Sequence, residues 1–351
     1  MSAGPGGLAF LETLGHQEVR LYHDAATGLR AVVAIHDTTL GPAVGGTRMR
    51  AYPSLDAAVT DALRLSRAMT AKAAMAEMPY GGGKAVILGD PARDKTEALL
   101  TAYAGVLRDL TDRFHSGCDL GLTAADVAFL ARLAPNISDA SGGASLDTAG
   151  LAALGVYASI EAAAARLSVP LDALHVAVQG VGAVGGALAR RLSAAGTRLT
   201  LADLDDARVR TLAAETGASV VPPAEIDAVA ADVFSPNAAG GVLDDRAVAR
   251  LRCRAVVGGA NEQLQESRHG DALHARGILY APDYVVNAGG LLSLLFETGQ
   301  CDEAEVTERV RAIGPRLQSL WREADETGRP PHRVADERVA ARLAAARERA
   351  R

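Results

Sequence analysis

Residues 175–206 read HVAVQGVGAVGGALARRLSAAGTRLTLADLDD, and this stretch decides the fold of the second half of the chain. An apolar run leads into a glycine-rich GVGAVG at 180–185, a helix-forming segment follows, and a second apolar run ends at Asp203. Glycines at this spacing make a tight turn, let a pyrophosphate approach the backbone and allow close packing of helix on strand. An acidic residue about 20 positions further on binds ribose hydroxyls. The stretch therefore predicts a Rossmann unit that binds a dinucleotide.

The acidic end of this stretch bears on the choice of dinucleotide. Asp203 occupies the ribose-binding position, and Asp205 and Asp206 add negative charge beside it. Carboxylates repel a 2′-phosphate, so the sequence favours NAD over NADP. The alternative is a glycine-rich turn with Asp203 as a solvated strand end. The predicted cofactor-binding residues of this stretch are Gly180, Val181, Gly182, Ala183, Val184, Gly185 and Asp203.

Length and composition narrow the class of protein. A chain of 351 residues is long enough for two domains, and 49% of its residues are hydrophobic. The net charge of −6 gives no general attraction to nucleic acid or to an anionic membrane. The start of the chain lacks the pattern of a secretory signal, and no transmembrane segment is expected. Three distant cysteines suit reduced thiols, so a cytoplasmic enzyme is predicted.

The order of the segments predicts two domains. Residues 135–150 are rich in turn formers, and strands alternate with helices after them, which is typical of a parallel sheet. We expect an α/β fold in which residues 1–140 form a domain for substrate binding, catalysis and oligomerisation. A Rossmann NAD-binding domain is expected over residues 141–324. Residues 325–351 are expected to form a C-terminal helix that packs back on the first domain.

A second glycine-rich stretch, MPYGGGKAVILGDP at 78–91, places Lys84 directly after three glycines. It is not a phosphate-binding P-loop, because Met78 replaces the first glycine of that motif and Ala85 replaces its Ser or Thr. We expect a glycine turn at 81–83 followed by a strand. The bare backbone would then let substrate and water reach Lys84.

Six segments together resemble the Glu/Leu/Phe/Val dehydrogenase family of amino-acid dehydrogenases, most closely its leucine, valine, phenylalanine and tryptophan branch. They read AIHDTTLGPAVGGTRM, DALRLSRAMTAKAA, GGGKAVILGDP, GCDLG, GVGAVGG and GILYAPDYVVNAGG. The resemblance covers nearly the whole chain. It implies reversible oxidative deamination of an L-amino acid to a 2-oxo acid and ammonia, with reduction of NAD, by a homo-oligomer.

The resemblance also implies residue roles. Lys72 would pair with the substrate carboxylate, Lys84 would be a catalytic group, and Asp119 would shuttle protons. Further residues implied at the substrate are Gly45, Gly46 and Asn261, and further residues implied at the cofactor are Asn237, Ala238 and Asn287.

The chemistry of deamination independently requires two bases. Hydride leaves the α-carbon only when the amine is neutral, and Asp119 can take the amine's proton if it is partly desolvated. Water then attacks the iminium and needs a second base with a pKa near neutrality. Burial of Lys84 beside another cation, Lys72, would lower its pKa in that direction.

Four positions depart from the family's usual pattern. Glu262 follows Asn261 where a second asparagine is usual, and Asn237 replaces a cysteine. Ala152 replaces a threonine or serine, and Ala71 replaces a tyrosine. These changes leave open a catalytically impaired relative that binds NAD and an amino acid as a sensor or subunit. A 2-hydroxy-acid dehydrogenase would need a catalytic histidine beside an arginine or acid, and the first domain offers no such group.

The side-chain pocket should be apolar, because the motifs leave no arginine or lysine for a second substrate carboxylate. Gly117 would enlarge it, and Leu291 and Leu294 would shrink it, so leucine, valine, isoleucine, phenylalanine and tryptophan all remain open. The candidate walls are Val44, Met69, Gly117, Leu291 and Leu294. No metal is expected, because the spacing of His269 and His274 does not place both on one helical face.

Overall fold

The computed structural model describes residues 11, 13–138 and 146–351. They divide into two compact units. The first contains the described residues before 139 together with Val339–Arg351, and the second is Leu146–Arg338. Both combine a β-sheet with helices, which confirms the predicted α/β class with two domains. The predicted boundary segment is residues 135–150, and its residues 139–145 lie outside the described part of the chain.

The first unit is built on a mixed six-stranded sheet in the order β1-β2-β5-β3-β6, with β4 also paired to β5. Its strands pair antiparallel from β1 to β2 to β5, and β5 pairs parallel with β3 and β4. The elements are β1 (Glu18–Asp24), β2 (Leu29–Asp37), β3 (Ala43–Val44), β4 (Thr47–Arg50), α1 (Leu55–Met75), β5 (Gly81–Leu88), α2 (Glu97–Arg108), β6 (Phe114–His115) and α3 (Ala124–Ala131).

Both faces of this sheet are covered. Helix α1 begins after Ser54, whose side chain accepts a hydrogen bond from the backbone of Ala57, and its apolar stripe packs on one face. Helices α2 and α3 cover the other face around Tyr103 and Phe114. Strand β5 is buried along its whole length, which explains its continuous apolar run after the glycines.

The expected turn at residues 81–83 was wrong, because these glycines lie within β5. A Cβ at Gly81 would lie 1.9 Å from the carbonyl oxygen of Asp37 and one at Gly82 would lie 2.1 Å from the amide nitrogen of Thr70. A Cβ at Gly83 would lie 2.7 Å from the ring of Phe114. The space beside the three glycines is therefore filled by protein and gives no route to Lys84.

The second unit contains a parallel sheet in the order β12-β11-β10-β7-β8-β9. This is the Rossmann strand order, with its switch point between β7 and β10, where ligands bind at the carboxyl ends of the strands. The strands are β7 (His175–Gln179), β8 (Arg198–Ala202), β9 (Ser219–Val220), β10 (Val233–Pro236), β11 (Ala255–Val256) and β12 (Leu279–Tyr280).

Helices fill most of the remainder of this unit. They are α4 (Thr148–Leu167), α5 (Ala183–Ala194), α6 (Asp206–Thr216), α7 (Asp245–Arg250), α8 (Ser267–Ala275), α9 (Asp283–Val286), α10 (Gly289–Leu292), α11 (Leu294–Glu297), α12 (Glu303–Arg311), α13 (Ile313–Thr327) and α14 (Pro331–Arg349). Strand β12 ends at Tyr280. Pro282 stands at the start of α9, and its carbonyl accepts the first bonds of that helix.

Helix α4 is long and apolar enough to cross a membrane by length and composition alone. In this structure 61% of its most apolar window is buried, and it packs against α5, α10 and α13. Such burial is typical of the core helix of a soluble protein.

The chain returns to the first unit at its end. Helix α14 starts at Pro331, and its residues from Val339 onward belong to the first unit. Arg347 near its last turn forms an ion pair with Asp37, which ends β2.

One departure from the family pattern carries backbone strain. Glu262 has a φ of 50°, in the left-handed region that asparagine tolerates better than glutamate. Its backbone N–H donates to Oδ2 of Asp283 at 2.7 Å, which helps to hold this conformation. The asparagine usual at this position in the family would fit the same backbone with less strain.

We expect Glu262→Asn to stabilise the second unit. Relief of strain of about 1 kcal/mol would raise its thermal midpoint by about 2–4 °C. Glu262→Gln is the matched control, since it removes the charge but keeps a long side chain at the same φ. An equal gain in both variants, measured by calorimetry, would attribute the effect to the carboxylate and contradict the strain argument.

Candidate active site

Three neighbouring strand segments set the positions of Lys84 and Asp119. Strand β4 pairs parallel with β5 on one side, with Thr47 opposite Ala85, and forms a parallel bridge from Thr47 to Cys118 on the other. Lys84 and Asp119 therefore stand on the two segments that flank β4. Their backbones are separated by two strand spacings, roughly 10 Å.

The glycine pair that joins β3 to β4 lies between these two segments. A Cβ at Gly45 would lie 1.8 Å from the carbonyl oxygen of Gly83, and one at Gly46 would lie 2.9 Å from Cβ of Asp119. The long side chain of Lys84 crosses this bare stretch, and its Nζ donates a hydrogen bond to Oδ2 of Asp119. A side chain at position 46 would displace Asp119.

Burial and charge shift both pKa values. Lys84 is only 6% exposed, and this burial lowers its pKa. The negative charge of Asp119 opposes the lowering, and the positive charge of Arg48 adds to it. Burial would raise the pKa of Asp119, but the charges of Lys84 and Arg48 outweigh it and hold the pKa below its usual value. The Asp119 side chain remains 26% exposed, so a ligand can meet the carboxylate. The pair thus combines an ionised acid with a lysine that loses its proton more easily than usual.

Arg48, which was not predicted as a site residue, contacts the same carboxylate. Its Nε donates to Oδ2 of Asp119 at 3.1 Å, and its Nη1 donates to Oδ2 of Asp61 at 3.0 Å. The hydroxyl of Tyr52 donates to that Asp61 oxygen at 2.6 Å. The available signal was strand alternation, since Thr47 and Met49 are buried and Arg48 must face the other way.

The other predicted residues of the first unit occupy three places. Lys72 lies half-buried in the last turn of α1, and Met69 lies half-buried one turn before it. Val44 is buried in β3. Gly117 follows β6, and a Cβ added there would meet no atom within 4 Å.

The glycine-rich turn of the second unit follows β7. Gly180 has a φ of +83°, and a Cβ at Gly185 would lie 1.9 Å from the carbonyl oxygen of Gly180. A Cβ at Gly182 would meet no atom within 4 Å, so open space adjoins the backbone at the second glycine. Ala183 and Val184 begin helix α5, whose N-terminus favours an anion.

Asp203 follows β8 beside this turn. Its Oδ2 accepts a hydrogen bond from the N–H of Val181 at 2.7 Å, and its Oδ1 accepts one from the N–H of Asp205 at 2.9 Å. Arg208 approaches to 3.8 Å. The carboxylate is therefore fixed at the carboxyl end of the sheet, where a ribose would lie in a Rossmann unit.

Two asparagines that the resemblance implies are in contact. Nδ2 of Asn287 donates to Oδ1 of Asn261 at 2.8 Å and to the carbonyl oxygen of Gly259 at 3.2 Å. Within residues 146–351 and the rest of the described chain, no donor meets the buried Oδ1 of Asn287. An unpaired buried amide oxygen is costly, so this atom and the open space at Gly182 fit a bound dinucleotide.

The remaining predicted residues of this unit are Asn237, Ala238, Leu291 and Leu294. Asn237 follows β10, and its Oδ1 accepts from the N–H of Gly259 at 2.8 Å. Ala238 fills the space beside Gly180. Leu291 is half-buried in α10, and Leu294 is buried in α11.

His269 and the three cysteines form neither a metal site nor a disulfide in the described part of the chain. His269 is 1% exposed, and its Nδ1 accepts from the N–H of Glu266 at the start of α8. The three cysteines form no disulfide. Among residues 11, 13–138 and 146–351, no cluster of three or more His, Cys, Asp or Glu side chains could hold a metal ion.

The chain matches sequence models of known proteins in both units. Residues 15–136 match the Glu/Leu/Phe/Val dehydrogenase dimerisation domain, and residues 199–350 match Glutamate/Leucine/Phenylalanine/Valine dehydrogenase. Leucine dehydrogenase of Geobacillus stearothermophilus is 38% identical over 94% of this chain and 92% of its own. Phenylalanine dehydrogenase of Lysinibacillus sphaericus is 39% identical over 90% of this chain and 85% of its own.

A solved structure agrees with these relatives. The crystal structure of L-tryptophan dehydrogenase from Nostoc punctiforme superposes with a TM-score of 0.83 and 36% identity, over 97% of this chain and 99% of that one. The fold, the two matched regions and these relatives agree over nearly the whole length. This chain belongs to the Glu/Leu/Phe/Val dehydrogenase family and is an amino-acid dehydrogenase.

Proposed function

We propose that this dehydrogenase oxidises an apolar L-amino acid with NAD and water to the 2-oxo acid, ammonium, NADH and a proton, reversibly. The observation that carries the proposal is the buried contact between Lys84 and Asp119. Deamination needs two proton acceptors close together, and this contact supplies a carboxylate and a lysine with a lowered pKa.

Asp119 acts first in the proposed sequence. The substrate arrives with a charged ammonium group, and the partly exposed carboxylate of Asp119 accepts one of its protons. The α-carbon then loses its hydrogen together with the bonding electron pair, and the nitrogen lone pair forms the C=N bond of an iminium. When bound, the nicotinamide cofactor supplies the acceptor for that hydride.

Lys84 acts second. In its neutral form its Nζ takes a proton from water as the water oxygen bonds to the iminium carbon. Protonated Lys84 then returns this proton to the nitrogen of the resulting carbinolamine, and the C–N bond breaks to release ammonia. Nζ, neutral again, takes the hydroxyl proton as the oxygen forms the carbonyl of the 2-oxo acid. Lys72, half-buried in the last turn of α1, is proposed to hold the substrate carboxylate and to remain charged.

The cofactor is proposed to be NAD. The fixed carboxylate of Asp203 would accept hydrogen bonds from ribose hydroxyls, and Asp205 and Asp206 follow it after Leu204. A 2′-phosphate at this place would meet negative charge. Gly180–Gly185, Asn237, Ala238 and Asn287 are the other proposed contacts.

The substrate is proposed to be a branched-chain or aromatic amino acid. The names of the relatives above give leucine, phenylalanine and tryptophan as their substrates. The proposed walls of the side-chain pocket are apolar. The other proposed substrate contacts are the backbone of Gly45 and Gly46 and the side-chain amide of Asn261. The proposed walls are Val44, Met69, Gly117, Leu291 and Leu294.

A homo-oligomer in the cytoplasm completes the proposal. The match of residues 15–136 to a dimerisation domain supports self-association through the first unit. Free cysteines and a net charge of −6 suit a reducing compartment and give no attraction to nucleic acid or anionic lipid.

Lys84→Ala should abolish turnover and leave NAD binding intact. Loss of a general base costs about 10²–10⁴-fold in kcat. The assay is NADH formation at alkaline pH, with the best of the twenty L-amino acids, beside NAD binding by calorimetry. Lys84→Arg is the matched control, because arginine keeps a cation beside Asp119 but cannot become neutral. Normal turnover in Lys84→Ala would overturn the mechanism, and an active Lys84→Arg would mean that only charge is needed.

Asp203→Asn should weaken the preference for NAD. The asparagine keeps an oxygen for the N–H of Val181 but removes the negative charge that repels a 2′-phosphate. We expect the ratio of kcat/KM with NAD to that with NADP to fall by about tenfold or more, about 1.4 kcal/mol. Glu215→Gln is the control, since that carboxylate stands at the far end of α6 and pairs with Arg190. An unchanged ratio in Asp203→Asn would contradict the assignment.

Gly117→Ala should fold normally and shift substrate preference towards smaller side chains. The added Cβ meets no protein atom within 4 Å, so it would take space only from a bound ligand. One methyl group is worth about 1–3 kcal/mol of discrimination, so kcat/KM for phenylalanine should fall about tenfold or more relative to valine. Gly46→Ala is the contrast, because its Cβ would collide with Asp119 and should lower activity for all substrates. Equal losses for both substrates in Gly117→Ala would place position 117 outside the pocket.

A further inference from the structure

Arg48 stands between the proton-transfer pair and a second carboxylate. It lies on β4, in register with Val86, and so shares a sheet face with Lys84 two residues before Val86. Its side chain is 19% exposed, and its two donors reach Asp119 at 3.1 Å and Asp61 at 3.0 Å. The guanidinium is therefore fixed from two sides, since its planar fork has little freedom once both bonds are made.

Oδ2 of Asp119 has two cationic donors of different kinds. Lys84 must give up its charge if it is to take a proton from water. Its electrostatic stabilisation of the ionised Asp119 carboxylate then disappears. Arg48 is never deprotonated at accessible pH. The carboxylate would thus keep one cation through every step in which Lys84 is neutral.

We propose that Arg48 is a positioning residue that keeps Asp119 ionised and aimed while Lys84 exchanges its proton. The inference rests on the proposed function, because that function requires a neutral Lys84. Asp61 holds Arg48 in turn, and Tyr52 holds Asp61. Oδ2 of Asp61 accepts one hydrogen bond from Arg48 and one from Tyr52. A simple structural tie between β4 and α1 would make the same contacts but would not control ionisation.

The charged and titratable groups around Arg48 come from each neighbouring element. Lys84 faces it from β5, Asp119 from the segment after β6, and Asp61 from α1. The ring of Tyr52, before α1, lies 5.1 Å from the guanidinium carbon of Arg50. Burial raises the pKa of Tyr52, so its hydroxyl stays a donor to Asp61.

Two variants separate control of ionisation from a structural tie. Arg48→Gln removes a cation from Asp119 and Lys84, so both lose protons only at higher pH. Asp61→Asn removes an anion, so Lys84 loses its proton at lower pH. Both variants break the link between β4 and α1, and a purely structural role would make them behave alike.

The measurement is kcat/KM against pH for the wild type and both variants. We expect the pH of half-maximal kcat/KM to rise by about one unit in Arg48→Gln and to fall in Asp61→Asn. We expect kcat of Arg48→Gln to fall about 10–100-fold at pH 8 with KM for the amino acid nearly unchanged. Arg48→Lys keeps the charge and should restore the wild-type midpoint with reduced kcat. Unshifted midpoints, or shifts in the same direction, would overturn the proposal.

A second readout does not depend on turnover. In protein labelled with ¹³C at the aspartate carboxyls, the signal that Asp119→Asn removes belongs to Asp119. Its titration midpoint should lie at higher pH in Arg48→Gln than in wild type, and should be close to wild type in Arg48→Lys. If wild type turns over no amino acid, the proposed function fails, and an unmoved carboxyl signal separately overturns the role of Arg48. If Arg48→Gln does not fold, Asp61→Asn should still move the midpoint to lower pH while Arg48→Lys keeps it at the wild-type value, and an unmoved midpoint in Asp61→Asn would overturn the proposal.

Discussion

The contact between Lys84 and Asp119 is the constraint on which the first unit depends. Taking a lysine out of water is expensive, and it is compensated only when an opposite charge meets it in contact. Lys84 stands on a central buried strand and Asp119 on a segment beyond the next strand. The strand between them must therefore be bare where the lysine crosses. Gly45 and Gly46 meet that need, and any side chain there would collide with Gly83 or Asp119.

The same contact explains how charge is distributed around the site. A lone Lys84–Asp119 pair would leave the carboxylate without a cation whenever the lysine was neutral. Arg48 supplies a permanent cation, and Asp61 balances it from helix α1. Helix α1 thus contributes more than its apolar stripe, because its Asp61 completes a row of ion pairs that starts at Lys84 in β5. This row, the ionic chain, runs from Lys84 through Asp119 and Arg48 to Asp61. The contact between Lys84 and Asp119 and the packing of this helix are parts of one arrangement.

The sequence predicted best what is encoded locally. The run from β7 through α5 to β8 is continuous, and its glycine spacing and apolar periodicity lie within about 30 residues, as a βαβ unit requires. Helix α1 is likewise encoded locally, by the helical period of its apolar residues and by Ser54 at its start. The glycines before it singled out Lys84, but its pairing with Asp119 could not be predicted from the residues, because their contact spans 35 positions and depends on strand order. Arg48 was missed because an arginine in a strand is usually solvated, and only the register of β4 places it beside Asp119. The glycines at 81–83 were misread because close packing, which tertiary structure alone sets, outweighed their turn propensity.

The positions that depart from the family pattern differ in kind from the proposed proton-transfer residues, Lys84 and Asp119. Asn237 replaces a usual cysteine, yet its amide donates to the carbonyl oxygen of Ser235 and accepts from Gly259, so it joins two strand ends of the Rossmann sheet. Glu262 costs backbone strain, while its N–H is still held by Asp283. Both changes concern how the second unit holds its backbone. The ionic chain of the first unit contains none of them, and a binder without catalysis would have no need of a buried lysine whose charge burial makes costly. The presence of that costly group supports the proposed proton chemistry.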